Sequence, residues 1–351
     1  MDNHNLGIWL EDWVKGQRST KTWFRNLEGN LLYVTQMSAI CAARAAGHGN
    51  KNLADKVAVD AMRKILGSIN GVETLVKIGE GVRDRAPMLY IGEVIGKGRH
   101  KIDLAVDPLE NTNATANLNP NAMCVLSAST RGGLISGIDG YMDKLVVGRK
   151  LVGKVDINLD VEENIKIIAE HLNREVNDLT ITVLERERNK VLSERIKKTG
   201  ARVRLIPDGD LMPAVLTCMQ GSSTHALMGI GAAPEGVISA VAVKLLGGEM
   251  QAKFWPRDKE DEAKLSQLGI DINRVYTHHN LAMGNDLIFC TTAVTPLVSS
   301  SKVILDGVSF FGGAAITNSM LITGSGWEKI SKVHVLNHDE FENQKSEFRL
   351  F

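Results

Sequence analysis

The chain has 351 residues, 44% of them apolar and 23% charged, with 41 basic and 41 acidic side chains. That balance excludes recruitment of nucleic acid or an acidic membrane by net charge, and no uninterrupted run of about 20 apolar residues is present to cross a bilayer. The composition is that of a soluble globular protein with enough apolar side chains for one large or two ordinary domains.

Four cysteines (Cys41, Cys124, Cys218, Cys290) lie far apart. They form no C-x-x-C pair, so buried thiols in a reducing compartment are expected rather than a zinc site or disulfide framework. The first twelve residues carry acids and no long apolar run, so no signal peptide is expected. In residues 1–29, Trp9, Trp13 and Trp23 stand among charges. Trp9 and Trp13 would share one helix face. The reading is an N-terminal helix packed on the domain or on another subunit, with a partner-binding segment as the alternative.

Residues 30–46 read as a helix stopped at Gly47-His48-Gly49. A second helix follows, capped by Asn52, with an apolar face over residues 54–66. Asp55 falls in its first turn, where a carboxylate favours the helix dipole, and capping alone would explain it. Residues 75–78 read as a strand running into Gly79-Glu80-Gly81, whose glycines allow a close backbone approach.

The stretch Ile102-Asp103-Leu104-Ala105-Val106-Asp107-Pro108-Leu109-Glu110-Asn111-Thr112 alternates like a strand and then changes character. Pro108 is expected to stop the ladder. Asp107 and Glu110 would then sit on a turn, as hard oxygen ligands of the kind Mg²⁺ or Mn²⁺ prefers. Asn111, Thr112 and Asn113 can cap a helix whose N-terminus attracts phosphate. Taken alone, a solvated turn explains the same residues. Further strands are expected at 122–126 and 145–147.

From residue 160 the pattern alternates: helix 161–172, strand 179–184, helix to 198 with Gly200 as stop, strand 203–206, helix 211–219, strand 226–230, helix 235–246. Such alternation predicts a largely parallel sheet covered by helices. Ligands collect at the carboxyl ends of such strands, and those positions carry Asp208-Gly209-Asp210 and Gly231-Ala232-Ala233-Pro234-Glu235. Residues 256–280 are polar. His278 and His279 there lack a partner at metal-ligand spacing and are expected to be exposed. Strand-like runs return at 287–292, 303–305, 320–323 and 333–336, with a hairpin expected within 302–311. The tail from about 338 is polar and expected to fray.

Acids thus fall repeatedly at strand ends or helix starts: Asp55, Glu80, Asp84, Asp107, Glu110, Asp208, Asp210 and Glu235. This many, with glycine neighbours, points to a multi-metal phosphate site. The sequence also resembles class II fructose-1,6-bisphosphatase, especially the cyanobacterial type that cleaves sedoheptulose-1,7-bisphosphate too. The resemblance covers about residues 30–336. It rests on Lys51-Asn52-Leu53-Ala54-Asp55, Ile78-Gly79-Glu80-Gly81, Asp84, Ala86-Pro87-Met88-Leu89-Tyr90-Ile91-Gly92-Glu93 and the 102–112 stretch. Tyr141-Met142-Asp143-Lys144-Leu145, Ile206-Pro207-Asp208-Gly209-Asp210 and Gly229-Ile230-Gly231-Ala232-Ala233-Pro234-Glu235-Gly236-Val237 complete it.

The resemblance implies a layered α-β-α-β-α sugar-phosphatase sandwich of the α/β class, shared with lithium-sensitive phosphatases. It divides the chain into an extension (1–29), a catalytic domain (30–338, with a metal-binding half at 30–158 and a sugar-binding half plus returning strands at 159–338) and a tail (339–351). It implies Mn²⁺ or Mg²⁺ on Asp55, Glu80, Asp107, Glu110 and Glu235. Asp84 would orient or deprotonate the attacking water, with Lys51 as a second catalytic group. Glu110, Asn111 and Thr112 would bind the scissile phosphate, and Tyr141 the substrate. Arg186, Glu187 and Arg188 would hold the distal phosphate, and Asp208, Gly209, Asp210 and Ala232 the sugar. The implied activity is hydrolysis of the 1-phosphate of fructose-1,6-bisphosphate, in gluconeogenesis or the Calvin cycle, by a cytoplasmic homodimer or homotetramer without nucleic-acid or membrane partners. Val82, Arg83, Arg85 and Asn111 depart from the family pattern. A weakened paralogue that binds sugar phosphates, or a phosphatase for another sugar or inositol phosphate, is the alternative.

Overall fold

The computed structural model describes residues 21–80, 88–300 and 302–339. Trp9, Trp13, Val82, Arg83, Asp84, Arg85 and the tail from residue 340 lie outside the described residues. A helical turn, Thr22–Arg25, buries Phe24, and Trp23 stacks on His100 with ring centroids 4.4 Å apart. The expected packing of the N-terminal segment on the domain therefore holds at Trp23.

The chain continues through α1 (Glu28–Arg44), α2 (Lys51–Gly67), β1 (Val72–Ile78), β2 (Val94–Ile95), β3 (His100–Glu110), the short α3 (Thr112–Asn117) and β4 (Met123–Thr130). Next come β5 (Tyr141–Val147), α4 (Val161–Leu172), β6 (Thr180–Leu184), α5 (Lys190–Lys198), β7 (Arg202–Ile206), α6 (Leu211–Cys218), β8 (Ala226–Ala232) and α7 (Ala233–Leu245). Then β9 (Glu249–Trp255), α8 (Lys259–Gln267), β10 (Tyr276–Thr277) and α9 (His278–Leu281) lead to β11 (Leu287–Ala293), β12 (Leu297–Ser299), β13 (Lys302–Leu305), β14 (Ser309–Phe311), β15 (Ala314–Thr323) and β16 (Gly326–Val335).

Two large sheets organise most of these elements, and β12 and β13 form a separate two-stranded sheet. The first runs β14-β15-β11-β4-β3-β1-β2, with β16 added on β15; the second runs β10-β9-β5-β8-β6-β7. Helices α1 and α2 cover one face of the first sheet with Leu31, Ala39, Ala58, Met62 and Leu66 against Ile102, Leu104 and Leu126. Helices α6 and α7 lie between the sheets, where Val237 and Val241 join Val125 and Phe289 of the first sheet to Val146 and Leu227 of the second. Helices α4 and α5 cover the far face, with Ile165, Ile168 and Ile196 against Ile181 and Val183. The layers are α-β-α-β-α, and the central strands of the first sheet are covered on both faces. That is why the central strands β4 and β11 are buried almost throughout instead of alternating.

The largely parallel sheet expected from the alternation is not what forms. Only β1–β3, β6–β7 and β6–β8 pair in parallel; every other named pair is antiparallel. The reason is visible around α7, which carries the chain from β8 to β9. Strand β5 inserts between those two and runs antiparallel to both. A strand–helix–strand pattern fixes the direction of the second strand but not its neighbour.

Smaller corrections follow. Asn50, not Asn52, caps α2, accepting a hydrogen bond from the Leu53 N–H at 3.0 Å. The hairpin near residue 302 joins β13 to β12, not to β14. Cys41 is only half-buried, while the other three thiols are interior. His278 is buried, its Nδ1 accepting the Met250 N–H at 3.2 Å. Burial, with the neighbouring His279 charge, pushes its pKa down to about 4, so it stays neutral.

Candidate active site

The site begins at the end of β3. Asp107 pairs with Val125 and Glu110 with Met123, so three steps on β3 answer two on β4. Pro108 therefore does not end the strand; it sits inside a β-bulge. Strand β1 has already left β3 after the Ile78–Ala105 pair, so the missing proline N–H leaves no partner unserved on that side. The bulge turns two carboxylates, three residues apart, toward one another. Glu235 joins them from the first turn of α7, a position favoured for an anion. One carboxylate oxygen from each of Asp107, Glu110 and Glu235 lies within 4.8 Å of the others.

All three acids hold their protons more tightly than usual. Burial is the largest cause for each. The Asp107 charge drives Glu110 further up, and Glu110 in turn donates to Asp107. Glu235 is pushed up to about 7, with the nearby Lys144 opposing the rise. Its Oε2 is buried with no hydrogen-bond partner among the described residues. Three oxygen donors too close to ionise together, one of them orphaned, fit a hard divalent cation.

A cleft of about 600 Å³ opens beside this cluster and is lined by Asp107 and Glu235, while Glu110 lines a smaller cavity with Asp208 and Gly209, and Asn111 is not part of the cleft's lining. Lys51 and Asp55 reach it from one face of the first turn and a half of α2, and Glu80 from the turn after β1. That turn needs glycine: a Cβ on Gly79 would stand 1.9 Å from the Leu89 carbonyl oxygen, to which the Glu80 N–H donates at 3.0 Å. Thr112, Tyr141 and Ala232 also line the cleft.

Toward the second sheet stand two groups, Arg257 in the cleft's lining and Lys144 buried behind it, that carry no role in the sequence reading. Lys144, 2% exposed, pairs with Asp210 at 2.6 Å and donates to the Ala232 carbonyl at 2.8 Å. Asp210 is thus buried behind the cleft rather than lining it. Arg257 lines the cleft from the turn after β9 and is gripped by Asp261. Its guanidinium lies 5.7 Å from the Tyr141 ring centroid, and Arg188 lies 4.3 Å from the same ring. Arg188 also donates to the Ile230 carbonyl at 3.1 Å.

Arg186 is committed to Asp208 at 2.9 Å and to the carbonyls of Glu185 and Pro207. Glu187 is exposed and 3.6 Å from Lys190. Gly209, at φ +68°, brings its backbone against Glu110. None of Arg186, Glu187, Asp208 and Gly209 lines the main cleft.

Asn111 adopts φ 68°, the left-handed region, and caps α3 by accepting the Ala114 N–H at 3.2 Å. Its amide also donates to the Asn121 carbonyl at 3.3 Å. Asparagine satisfies both the backbone and the cap. Asn111→Gly keeps the backbone and loses the cap, so it should cost only a few tenths of a kcal/mol. Asn111→Ala loses both and should cost about 2 kcal/mol. Equal melting points for the two variants would show that the backbone conformation is not the constraint.

Residues 25–334 match the sequence profile of the family described as bacterial fructose-1,6-bisphosphatase, glpX-encoded. A protein of Synechococcus elongatus named D-fructose 1,6-bisphosphatase class 2/sedoheptulose 1,7-bisphosphatase is 42% identical over 319 residues, covering 84% of this chain and 91% of the relative. One of the same name from Prochlorococcus marinus is 43% identical over 314 residues, covering 85% and 92%. Another from Crocosphaera subtropica is 41% identical over 319 residues, covering 84% and 91%. The chain belongs to the glpX-type, class 2 fructose-1,6-bisphosphatase family.

Proposed function

We propose that the protein is a divalent-metal-dependent phosphatase that removes the 1-phosphate of fructose-1,6-bisphosphate, giving fructose 6-phosphate and phosphate, and that it accepts sedoheptulose-1,7-bisphosphate as well. The observation that carries this reading is the carboxylate cluster of Asp107, Glu110 and Glu235 at a cleft in a chain of this family. Mn²⁺ or Mg²⁺ would be held by those three residues together with Asp55 and Glu80. Such an ion supplies charge neutralisation at the phosphate and Lewis acidity toward the attacking water and the leaving oxygen.

The chain's own groups do the rest. Asp84, four residues beyond Glu80, takes the proton of the attacking water. Lys51, with Asn111 and Thr112 at the start of α3, holds the scissile phosphate. Arg188 and Arg257, both close to the Tyr141 ring, present guanidinium groups that suit the distal phosphate and fix the sugar's register. Arg186, held by Asp208 outside the cleft, and Gly209, packed against Glu110, support the sugar side from behind. Action in the cytoplasm, in gluconeogenesis or the Calvin cycle, belongs to the same proposal, as does assembly into a homodimer or homotetramer.

Purified protein incubated with Mn²⁺ and fructose-1,6-bisphosphate should release phosphate, and Asp84→Ala should lower the rate by about 10²-fold or more. Arg188→Ala should raise KM more for the bisphosphate than for a sugar monophosphate. No release above the Asp84→Ala background, across both bisphosphates and both metals, would overturn the proposal.

A further inference from the structure

Strand β16 is an outer strand of the first sheet. It pairs with β15 from Ala314–Val335 to Thr323–Gly326 without a register shift, and among the described residues no strand lies on its other side. In an antiparallel ladder alternate residues turn their N–H and C=O groups away from the neighbour, leaving an unpaired row. Shortness, proline, bulges, covering segments and charged side chains, lysine above all, are the usual protections of such an edge; of these, among the described residues, β16 carries only the charges Glu328, Lys329 and Lys332. Strand β16 has ten residues, no proline and no bulge. It is exposed apart from Ile330 and His334, and it displays Trp327 at 48% and Val333 at 41% exposure.

Two of its charges find no opposite charge among the described residues. Glu328 and Lys332 lie on the face toward α1 and have no ion-pair partner among the described residues. Glu328 stands near another acid, Glu28. The Glu28 carboxyl is raised first by its own burial and also by the Glu328 charge, against Arg25. The Lys332 ammonium hangs 5.6 Å over the Tyr33 ring. In an extended strand, residues four apart are about 13 Å apart, too far to pair with each other.

We propose that β16 pairs with itself: two copies of this chain join their β16 strands antiparallel about a two-fold axis through Ile330, making one continuous sheet. A two-fold axis normal to the sheet keeps each face on its own side. With Ile330 on the axis, Glu328 meets the partner's Lys332 and Trp327 meets the partner's Val333, each twice. These are an opposite-charge pair and an aromatic–β-branched pair, both favoured across strands. Moving the axis to Lys329 sets two ammonium groups face to face. Moving it to Ser331 leaves Lys329 opposite a valine and Glu328 opposite a histidine. The Ile330 register alone among these three answers both charges, so the occupant that fits this edge is a second copy of the chain. The inference rests on the homo-oligomer of the proposed function and gives it an interface; it is separate from the catalytic reading, because no β16 residue lines the cleft and phosphate release would survive its failure.

The test is sedimentation equilibrium of the full chain and three variants, each checked by a thermal melt. The parent should self-associate. Glu328→Lys and Lys332→Glu each place like charges opposite one another twice, and each should raise the dissociation constant about tenfold. Glu328→Lys/Lys332→Glu should return it to within about threefold of the parent. A monomeric parent would overturn the proposal, including one whose β16 amides are protected from hydrogen exchange by residues 1–20 or 340–351. So would single variants that assemble like the parent, or a double variant no better than the singles.

Discussion

Lys144→Met should destabilise the protein by about 3–5 kcal/mol, among the largest effects open to a single side chain here. Methionine fills most of the lysine's volume, so the loss is electrostatic. Lys144 is 2% exposed and Asp210 6% exposed, with 2.6 Å between the charged atoms. Removing one member of such a pair leaves a buried, uncompensated carboxylate. The backbone is built around the pair: a Cβ on Gly231 would stand 1.8 Å from an Asp210 oxygen and 2.9 Å from the Lys144 nitrogen. Lys144→Met/Asp210→Leu removes both charges and should recover much of the loss, since an apolar replacement of a whole buried pair is often neutral. Urea denaturation of the three proteins decides the matter. A double variant as unstable as the single would show that packing, not the unpaired charge, is at stake.

The second large effect is a pH-dependent response to metal. For Glu235 the folded pKa is about 7, raised above the ordinary 4.5 by burial. A raised carboxyl pKa means stability that is full below about 4.5 and lost as pH rises through 7. The loss amounts to about 3 kcal/mol from this group in the metal-free protein. Asp107 and Glu110 shift in the same direction. A divalent cation competes with these protons and removes the penalty. Mn²⁺ should therefore raise the melting temperature strongly at pH 8, by the equivalent of about 3–4 kcal/mol at a thousandfold excess over Kd. At pH 6 the effect should nearly vanish as affinity falls about tenfold per unit for each proton displaced. Differential scanning calorimetry with and without Mn²⁺ at the two pH values measures this. An Mn²⁺ shift of equal size at both would show that the cluster does not bind metal through deprotonation.

The sequence displayed some parts of the site and concealed others for identifiable reasons. Asp107, Glu110 and Glu235 were visible because carboxylates at a strand end and a helix start stand out against apolar flanks. Lys144 was not, because it stood just outside the strand expected at 145–147, in a motif that gave it no role of its own. Only the pairing of β5 with β8, and the glycines at 231 and 236 beside it, reveal that it points into a closed space. Arg257 stood in a polar stretch without a motif. Its place became meaningful once β9 aligned with β5 so that Tyr141 sits opposite Trp255, two residues before it. A Pro-Arg pair just past a strand's carboxyl end was the available signal.

Helix α4 was legible to the residue, since Val161, Ile165, Ile168 and Ala169 repeat at helical spacing. Sheet order was not, because long-range pairing leaves no local trace. Pro108 was misread for a related reason. Proline forbids a hydrogen bond, but whether the neighbouring strand is still present to offer one depends on where β1 ends.

The insertion of β11 between β4 and β15 has a consequence for how the molecule is made. The first sheet needs partners separated by more than 150 positions: Leu287 pairs with Ser129, and Thr292 with Cys124. The second sheet draws all its strands from residues 141–277. On a ribosome the second sheet can close while the first still has an open flank at β4. The carboxylates of β3 therefore wait beside an unfinished sheet until nearly the whole chain has emerged. Closing so long a loop is slow, and the exposed flank of β4 is the point at which a stalled or truncated chain would aggregate.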